Sequence, residues 1–216
     1  MKDCKKIFIF GAGSAGGEIL QLIYAINDKL PTWEVLGYVD SDPELIGQKI
    51  DGIQVYKHED LPVSKDFYGI CGVMDYKLRR KIVRTEIETK EYILPTLIHP
   101  VTVKSSDFIA GPGSIILSGA HIGYNVKIGK CVLVTINTVL GHDLIVGEYT
   151  SIMASVAIGG ECSIGEGCFI GSGAILKQGV KIGNESLVGM GTSIIKDVPD
   201  KTSVINYPRN VIRSNI

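Results

Sequence analysis

An aliphatic side chain stands at every sixth position over much of the chain: Ile116, Ile122, Ile128, Val134, Leu140, Val146, Ile152, Ile158, Ile164, Ile170, Leu176, Ile182, Val188 and Ile194. Two residues before these rungs the side chains are small or β-branched, for example Ser114, Ala120, Val126, Cys162, Cys168, Ala174 and Thr192. Neither a helix, with about 3.6 residues per turn, nor an isolated strand, with a period of about two, produces that spacing. Fixed-period self-similarity instead marks a solenoid, in which each short repeat is one flat strand and its neighbours above and below bury its apolar side. Glycine follows many rungs (Gly123, Gly129, Gly141, Gly147, Gly159, Gly165, Gly171, Gly183, Gly189), where it is expected to let the chain turn tightly.

The first hundred residues follow a different pattern. Ile7 to Phe10 is a short apolar strand that runs into Gly11-Ala12-Gly13-Ser14-Ala15-Gly16-Gly17, and Glu18 to Asn27 then carries helical spacing through Ile19, Leu22, Ile23 and Ile26. Val35 to Val39 predicts a second strand, closed by Asp40-Ser41-Asp42-Pro43. Phe67 to Val73 predicts a third, followed by a helix with Leu78, Ile82 and Val83 on one face and Lys77, Arg79, Arg80 and Lys81 largely on the other. Strands alternating with helices imply a small parallel sheet of βαβ units. Pro95 and Pro100 bracket Thr96 to His99, read as the link into the solenoid. The expected domains are therefore residues 1–98 and 99–216, the latter ending in a tail.

Composition narrows the function classes. A net charge of −1 in 216 residues gives no basic excess for nucleic acid. The longest apolar stretch near the start is too short for a signal sequence or a membrane span, so a cytoplasmic protein is expected. Cysteines 4, 71, 131, 162 and 168 show no metal-ligand spacing and read as free thiols; no metal cofactor is expected.

Two stretches carry chemistry. Gly11, Gly13 and Gly16 have the spacing of a dinucleotide fingerprint, with Asp40 at the end of the next strand. Such glycines admit a phosphate close to the backbone at a helix N-terminus, but the same residues also suit a plain strand-to-helix turn. Of the four histidines (58, 99, 121, 142), only His142 lies within the ladder with an acid beside it, in Gly141-His142-Asp143. An imidazole oriented by a carboxylate is the usual general base, whereas a polar residue on a solenoid's outer face is most often merely solvated.

The hexad ladder resembles the hexapeptide repeat of the left-handed parallel β-helix acyltransferases. The whole chain is similar to the NeuD/PglD-like sugar acetyltransferases: a glycine-rich βαβ domain, the Val39-Asp40-Ser41-Asp42-Pro43 turn, the Leu97-Ile98-His99-Pro100 link, and a β-helix ending in Asn206-Tyr207-Pro208. That resemblance implies a Rossmann-like domain that binds the sugar nucleotide, followed by a left-handed β-helix. It also implies a homotrimer that transfers acetyl from acetyl-CoA to an amino or hydroxyl group of a bacterial sugar. His142 and Asp143 match the family's catalytic pair. Gly11, Gly13, Ser14 and Ala15 match the loop that cradles phosphates, and Asp40 and Asp42 match the acids near ribose and base. Three hexads per coil would stack His142, Gly160, Gln178 and Lys196 in one column, with the Gly160 N–H as oxyanion donor and Gly159, Gly160, Gln178 and Lys196 meeting the acyl donor. The chain departs from relatives at Ser14-Ala15, at Thr135 (often asparagine) and at Ser151 (often a second histidine contacting the donor). A sugar nucleotide and acetyl-CoA are the expected partners. An NAD-dependent oxidoreductase and an inert sugar-nucleotide-binding scaffold are the competing readings from other classes.

Overall fold

The computed structural model describes residues 4–206; Tyr207, Pro208 and the expected tail lie outside them. Strand β1 (Lys5–Phe10), helix α1 (Ser14–Lys29) and strand β2 (Trp33–Val39) form the first βαβ unit. Strands β3 (Lys49–Ile50) and β4 (Ile53–Tyr56) follow, then β5 (Phe67–Cys71) and helix α2 (Tyr76–Ile82). The sheet order is β3-β4-β2-β1-β5, parallel except for the β3–β4 hairpin. That hairpin lacks a long apolar run and was not legible in the pattern. Ile7 and Ile9 pack on the α1 side with Ile19, Leu20, Leu22 and Ile23. Phe8 and Phe10 face the opposite layer with Val83, Ile87 and Tyr92.

From Leu97 onward the chain winds as a left-handed parallel β-helix of two-residue strands. His121 pairs with Val139, and Val139 with Ala157, so one coil takes eighteen residues and three hexads make a triangle. The rungs and the small residues before them form one continuous interior. Close parallel stacking of such residues leaves no edge inside the coil, and each fully buried Ile, Leu or Val contributes about 1.5–3 kcal/mol.

The expected role of the glycines needs correction. The residues with positive φ stand three places after the rung, among them Asn125, Cys131, Asn137, Asp143, Tyr149 and Glu161. The glycines directly after the rungs are required for another reason. A Cβ on Gly147 would lie 2.5 Å from the N of Glu166, and one on Gly165 2.6 Å from the N of Asn184. Those glycines let the next coil stack; the turn itself is made two residues later, often by residues that tolerate the left-handed conformation.

The expected link is also part of the solenoid. Leu97–Ile98 is its first strand, in register with Ile115–Ile116, and so lies before the expected boundary at 99. Together with Leu117 and Leu133, Leu97 and Ile115 pack into the α1 side of the N-terminal core. The two units therefore share a core along one face of the triangle.

The helix after β5 presents a second correction. Arg79, expected on its outer face, is 2% exposed, while Leu78, expected inside, is 46% exposed. The arginine turns inward where α2 lies over a corner of the β-helix at which the carbonyl oxygens of Cys131 and Tyr149 have no other donor among the described residues. Its guanidinium donates to Val73 O (2.7 Å), Met74 O (2.8 Å), Cys131 O (3.1 Å), Tyr149 O (2.5 Å) and Ser151 Oγ (3.0 Å).

Candidate active site

His142 sits two residues after rung Leu140, at a corner where the chain leaves one face of the triangle. Positive φ at Asp143 (56°) swings its carboxylate back beside the imidazole. Asp143 Oδ2 lies 2.9 Å from His142 Nδ1, and Oδ1 accepts the side-chain N–H of Asn125, one coil below, at 2.7 Å. The Asn125 bond and then the His142 bond hold the Asp143 carboxyl below the ordinary carboxylate range. An ionised carboxylate only accepts, so Nδ1 carries the proton and Nε2 is left with a free lone pair. The asparagine continues the column downward, its backbone N–H donating to Asp107 Oδ2 at 2.7 Å.

Gly160 closes the imidazole from the coil above: a Cβ built there would overlap Nε2, Cε1 and Cδ2 of His142. Any other residue would displace the ring. The Gly160 N–H donates to no protein acceptor among the described residues, which leaves a backbone donor beside a potential base. Gly160 O accepts from Gly179 N at 2.9 Å, and Glu161 N donates to His142 O at 2.7 Å, so the two coils are fixed on each other here. In the next coil Gln178 is exposed and donates to Glu161 Oε1 at 3.0 Å, and Gly159 packs against the Gln178 backbone. Lys196, eighteen residues beyond Gln178, is also exposed. His142 and Asp143 keep 49% and 42% of their side-chain surface exposed, so this corner is an open surface on one chain. Nucleophile, base and oxyanion donor are the three requirements of acyl transfer, and this corner offers the last two.

The other histidines lack that arrangement. His58 Nε2 lies 3.1 Å from Glu86 O, and His99 Nδ1 accepts the Val101 N–H at 3.3 Å. His121 points outward from the second face of the triangle.

In the N-terminal unit, Asp40 Oδ2 accepts the Ala12 N–H (2.8 Å) and Oδ1 accepts the Asp42 N–H (3.0 Å), so this carboxylate ties the glycine loop to the end of β2. Asp42 in turn accepts the Glu44 N–H at 2.9 Å. Gly16 lets α1 press onto β1: a Cβ there would run into Gly11 O. Gly11 and Asp40 line a cleft of about 250 Å³ with Phe10, Lys81, Ile82 and Glu86. Burial pushes the Glu86 carboxyl upward. Gly13 and Ser14 stand exposed at the start of α1, while Ala15 faces a small cavity shared with Leu117 and Leu133 of the β-helix. The loop residues read as one set are thus divided between two sides. Asn125, Lys81 and Glu86 were missed from the sequence; Asn125 alone had a signal, standing eighteen residues before Asp143.

The departures from relatives are also explained in part. Ser151 is buried under α2, accepts from Arg79 and donates to Met74 O at 3.0 Å, so it serves contact between the units. Thr135 is buried with its hydroxyl unpartnered among the described residues.

Comparison with known proteins agrees with this architecture. Residues 143–178 match the bacterial transferase hexapeptide family (six repeats), residues 161–196 the hexapeptide repeat of succinyl-transferase, and residues 3–93 the C2185-like N-terminal family. A GDP-perosamine N-acetyltransferase of Escherichia coli O157:H7 is 29% identical over 207 residues, spanning 91% of this chain and 81% of that protein. The acetyltransferase domain of PglB from Neisseria gonorrhoeae superposes with a TM-score of 0.83 at 26% identity, covering 92% of this chain and 95% of that one. A histidine-to-asparagine variant of perosamine N-acetyltransferase from Caulobacter crescentus, solved with CoA and GDP-perosamine, superposes with a TM-score of 0.82. It is 25% identical and covers 97% of both chains. Among the described residues, no helix is long and apolar enough to cross a membrane.

Proposed function

Because the chain belongs to the NeuD/PglD-like sugar acetyltransferases, we propose that His142 is the base with which it transfers acetyl from acetyl-CoA to the amino group of a nucleotide-linked sugar. The acceptor is read as a 4-amino-4,6-dideoxyhexose on a nucleoside diphosphate, used in bacterial surface glycan synthesis. One observation carries the reading: the Asn125–Asp143–His142 chain ends in a free Nε2 directly under the backbone of a glycine whose N–H is unused.

In the step this supports, the sugar amine attacks the thioester carbonyl carbon and its proton passes to His142 Nε2. Asp143 holds the imidazole by Nδ1–H and stabilises the imidazolium. The Gly160 N–H accepts no other role and faces the developing oxyanion. Collapse breaks the C–S bond, and His142 returns the proton to the departing thiolate, leaving an amide and CoA. Gly159, Gln178 and Lys196 extend the same column as donor contacts, with the Lys196 ammonium suited to a CoA phosphate. The N-terminal unit, expected to span residues 1–98, would hold the nucleotide in the cleft of Gly11 and Asp40, with Gly13, Ser14 and Asp42 near it, whereas Ala15 faces the cavity on the other side. Lys81 supplies a cation for the phosphates in that cleft. Asp40 works first through the loop amides it holds, and its remaining lone pairs are left for ribose or base.

The exposed corner also supports the homotrimer. Val103, Val139 and Ile175 stand exposed on the second face, alternating with His121 and Ala157, and Ile109 and Ile145 on the third, with Lys127 between them. Burying them against neighbouring copies would turn an open surface into the groove a thiol cofactor needs. Free, mostly buried thiols fit the reducing cytoplasm. A hydroxyl acceptor is the nearest variant of this chemistry. Thermal shifts with acetyl-CoA, NAD and a panel of nucleotide sugars test the reading: stabilisation by acetyl-CoA and one nucleotide sugar is expected, and stabilisation by NAD alone would favour the oxidoreductase.

A further inference from the structure

His142 has a neighbour on the side away from Gly160. Ile122 stacks under Leu140 in adjacent coils, so Tyr124, two places after Ile122, occupies the corner directly below the histidine. Backbone and side-chain contacts fix that stacking. Asp143 N donates to Tyr124 O at 2.8 Å, Asn125 Nδ2 donates to Asp143 Oδ1 at 2.7 Å, and a Cβ on Gly123 would lie 3.0 Å from His142 N. Tyr124 nevertheless keeps 66% of its surface exposed. It stands at the corner itself and not on either flat face.

The corner is therefore unlike on its two sides. Above the imidazole the column runs through Gly160, Gln178 and Lys196, a gap followed by long polar side chains. Below it comes the tyrosine ring, with exposed Ser106 one coil further down. Among the residues two places after a rung, Tyr124 is the only aromatic one. The imidazole lies against the Gly160 backbone, where a Cβ would overlap Nε2, which turns it toward the upper coil and leaves the phenol ring as the surface beneath. A tyrosine offers a large, rigid, apolar area with a polar tip, the kind of side chain that binds by contact at low entropic cost.

In the proposed reaction the thioester lies at Gly160 and the CoA arm runs up the column, so the amine reaches Nε2 from the lower side and its sugar comes to rest at Tyr124. In a 4-amino-4,6-dideoxyhexose the carbon next to the amine-bearing one carries the C6 methyl group, which puts an apolar edge beside the reacting nitrogen. Adjacent coils are about 4.8 Å apart, a spacing that lets a ring one coil below the base touch a methyl group beside an amine bonded to that base. We infer that Tyr124 is a specificity-determining residue of the acceptor site, an apolar wall that receives the C6 methyl group and so selects 6-deoxy sugars. It rests on the acceptor assignment above. A 6-hydroxyl set against the ring face would lose water without gaining a partner. The wall acts on the sugar ring itself, whichever chain's N-terminal unit holds the nucleotide.

The test uses the full-length enzyme with acetyl-CoA and paired acceptors, a 4-amino-4,6-dideoxyhexose and its 6-hydroxy counterpart, each as the GDP-, UDP- and dTDP-linked sugar. One methyl group against an apolar wall should give the wild type a preference in kcat/KM of about 10- to 100-fold for the 6-deoxy member. Tyr124→Ala should lose most of that preference, chiefly by losing activity on the 6-deoxy sugar, with KM for acetyl-CoA unmoved and the sedimentation coefficient that of the wild type. Tyr124→Phe keeps the ring and should keep the preference. A wild type that does not distinguish the pair overturns the inference, as does a folded Tyr124→Ala that keeps the preference, loses both activities equally or changes its assembly. Loss of the preference in Tyr124→Phe would assign it to the hydroxyl and overturn the apolar wall. If Tyr124→Ala does not fold, Tyr124→Gln is read in the same way, and failure of both to fold would make the residue structural and overturn the inference. A wild type that acetylates neither member of any pair would instead sink the acceptor assignment, and the inference with it.

Discussion

At the scale of single residues, the proposed chemistry turns on how few groups are needed to make an exposed histidine a directed base. Asn125 holds Asp143, Asp143 holds Nδ1, and Gly160 leaves the space over Nε2. His142→Ala is expected to lower kcat roughly 10²–10⁴-fold with an unchanged melting temperature, read by steady-state kinetics and a thermal melt. Asp143→Asn should cost less, because the proton acceptor survives while its orientation suffers; a larger loss with the fold intact would mean the roles are wrongly divided. Gly160→Ala places a methyl group against the imidazole and should cost about as much as losing an oxyanion donor, roughly 10²–10³-fold in kcat. Asp143 is held ionised below the ordinary carboxylate range, so its stabilising bond to Asn125 is present at neutral pH and is lost only as pH falls through that lowered value. In Asn125→Ala the carboxyl loses the contact that lowers it most, so the Asp143 titration followed by NMR should move upward. An unmoved titration would show that the Asn125 bond does not set it.

Among the structural elements, the coil was legible because each rung repeats one environment, so fourteen weak signals add into one. The reason for its glycines was not legible. Period six marks a position, but whether glycine serves a turn or a close approach depends on the coil above, which the linear chain does not display. The distinction is measurable. Gly147→Ala, whose Cβ would meet the backbone of Glu166, should destabilise by about 1–3 kcal/mol as overpacking does. Gly179, at φ 78° with nothing within 4 Å of an added Cβ, should accept asparagine at less cost. Chemical denaturation of both variants checks the order, and the reverse order would contradict it. The α2 helix misled for the opposite reason. Its Arg79 looked solvent-facing because amphipathic reading assumes one apolar partner, whereas α2 packs between a sheet and a row of carbonyl oxygens. Of the candidate site, the His142 column was visible in the spacing, while Lys81 and Glu86 reach the cleft through tertiary packing that no local pattern encodes.

For the whole molecule, the proposed function divides labour between a unit that holds the acceptor and a solenoid that does chemistry. Asp40→Ala, by releasing the Ala12 N–H, should raise KM for the sugar nucleotide and leave KM for acetyl-CoA unaltered; movement of only the acetyl-CoA parameter would reverse the assignment. Sedimentation should give the mass of three chains, and a fully active monomer would refute the shared groove. The central claim is acetyl transfer to an amino sugar at the His142 corner. It is tested most directly by incubating the enzyme with acetyl-CoA and GDP-, UDP- and dTDP-linked 4-amino-4,6-dideoxyhexoses, and following released thiol together with product mass. One acetylated sugar, formed in step with free CoA and lost in His142→Ala, is the predicted result. No acetylated product from a folded enzyme that binds acetyl-CoA, or undiminished product from His142→Ala, would contradict it.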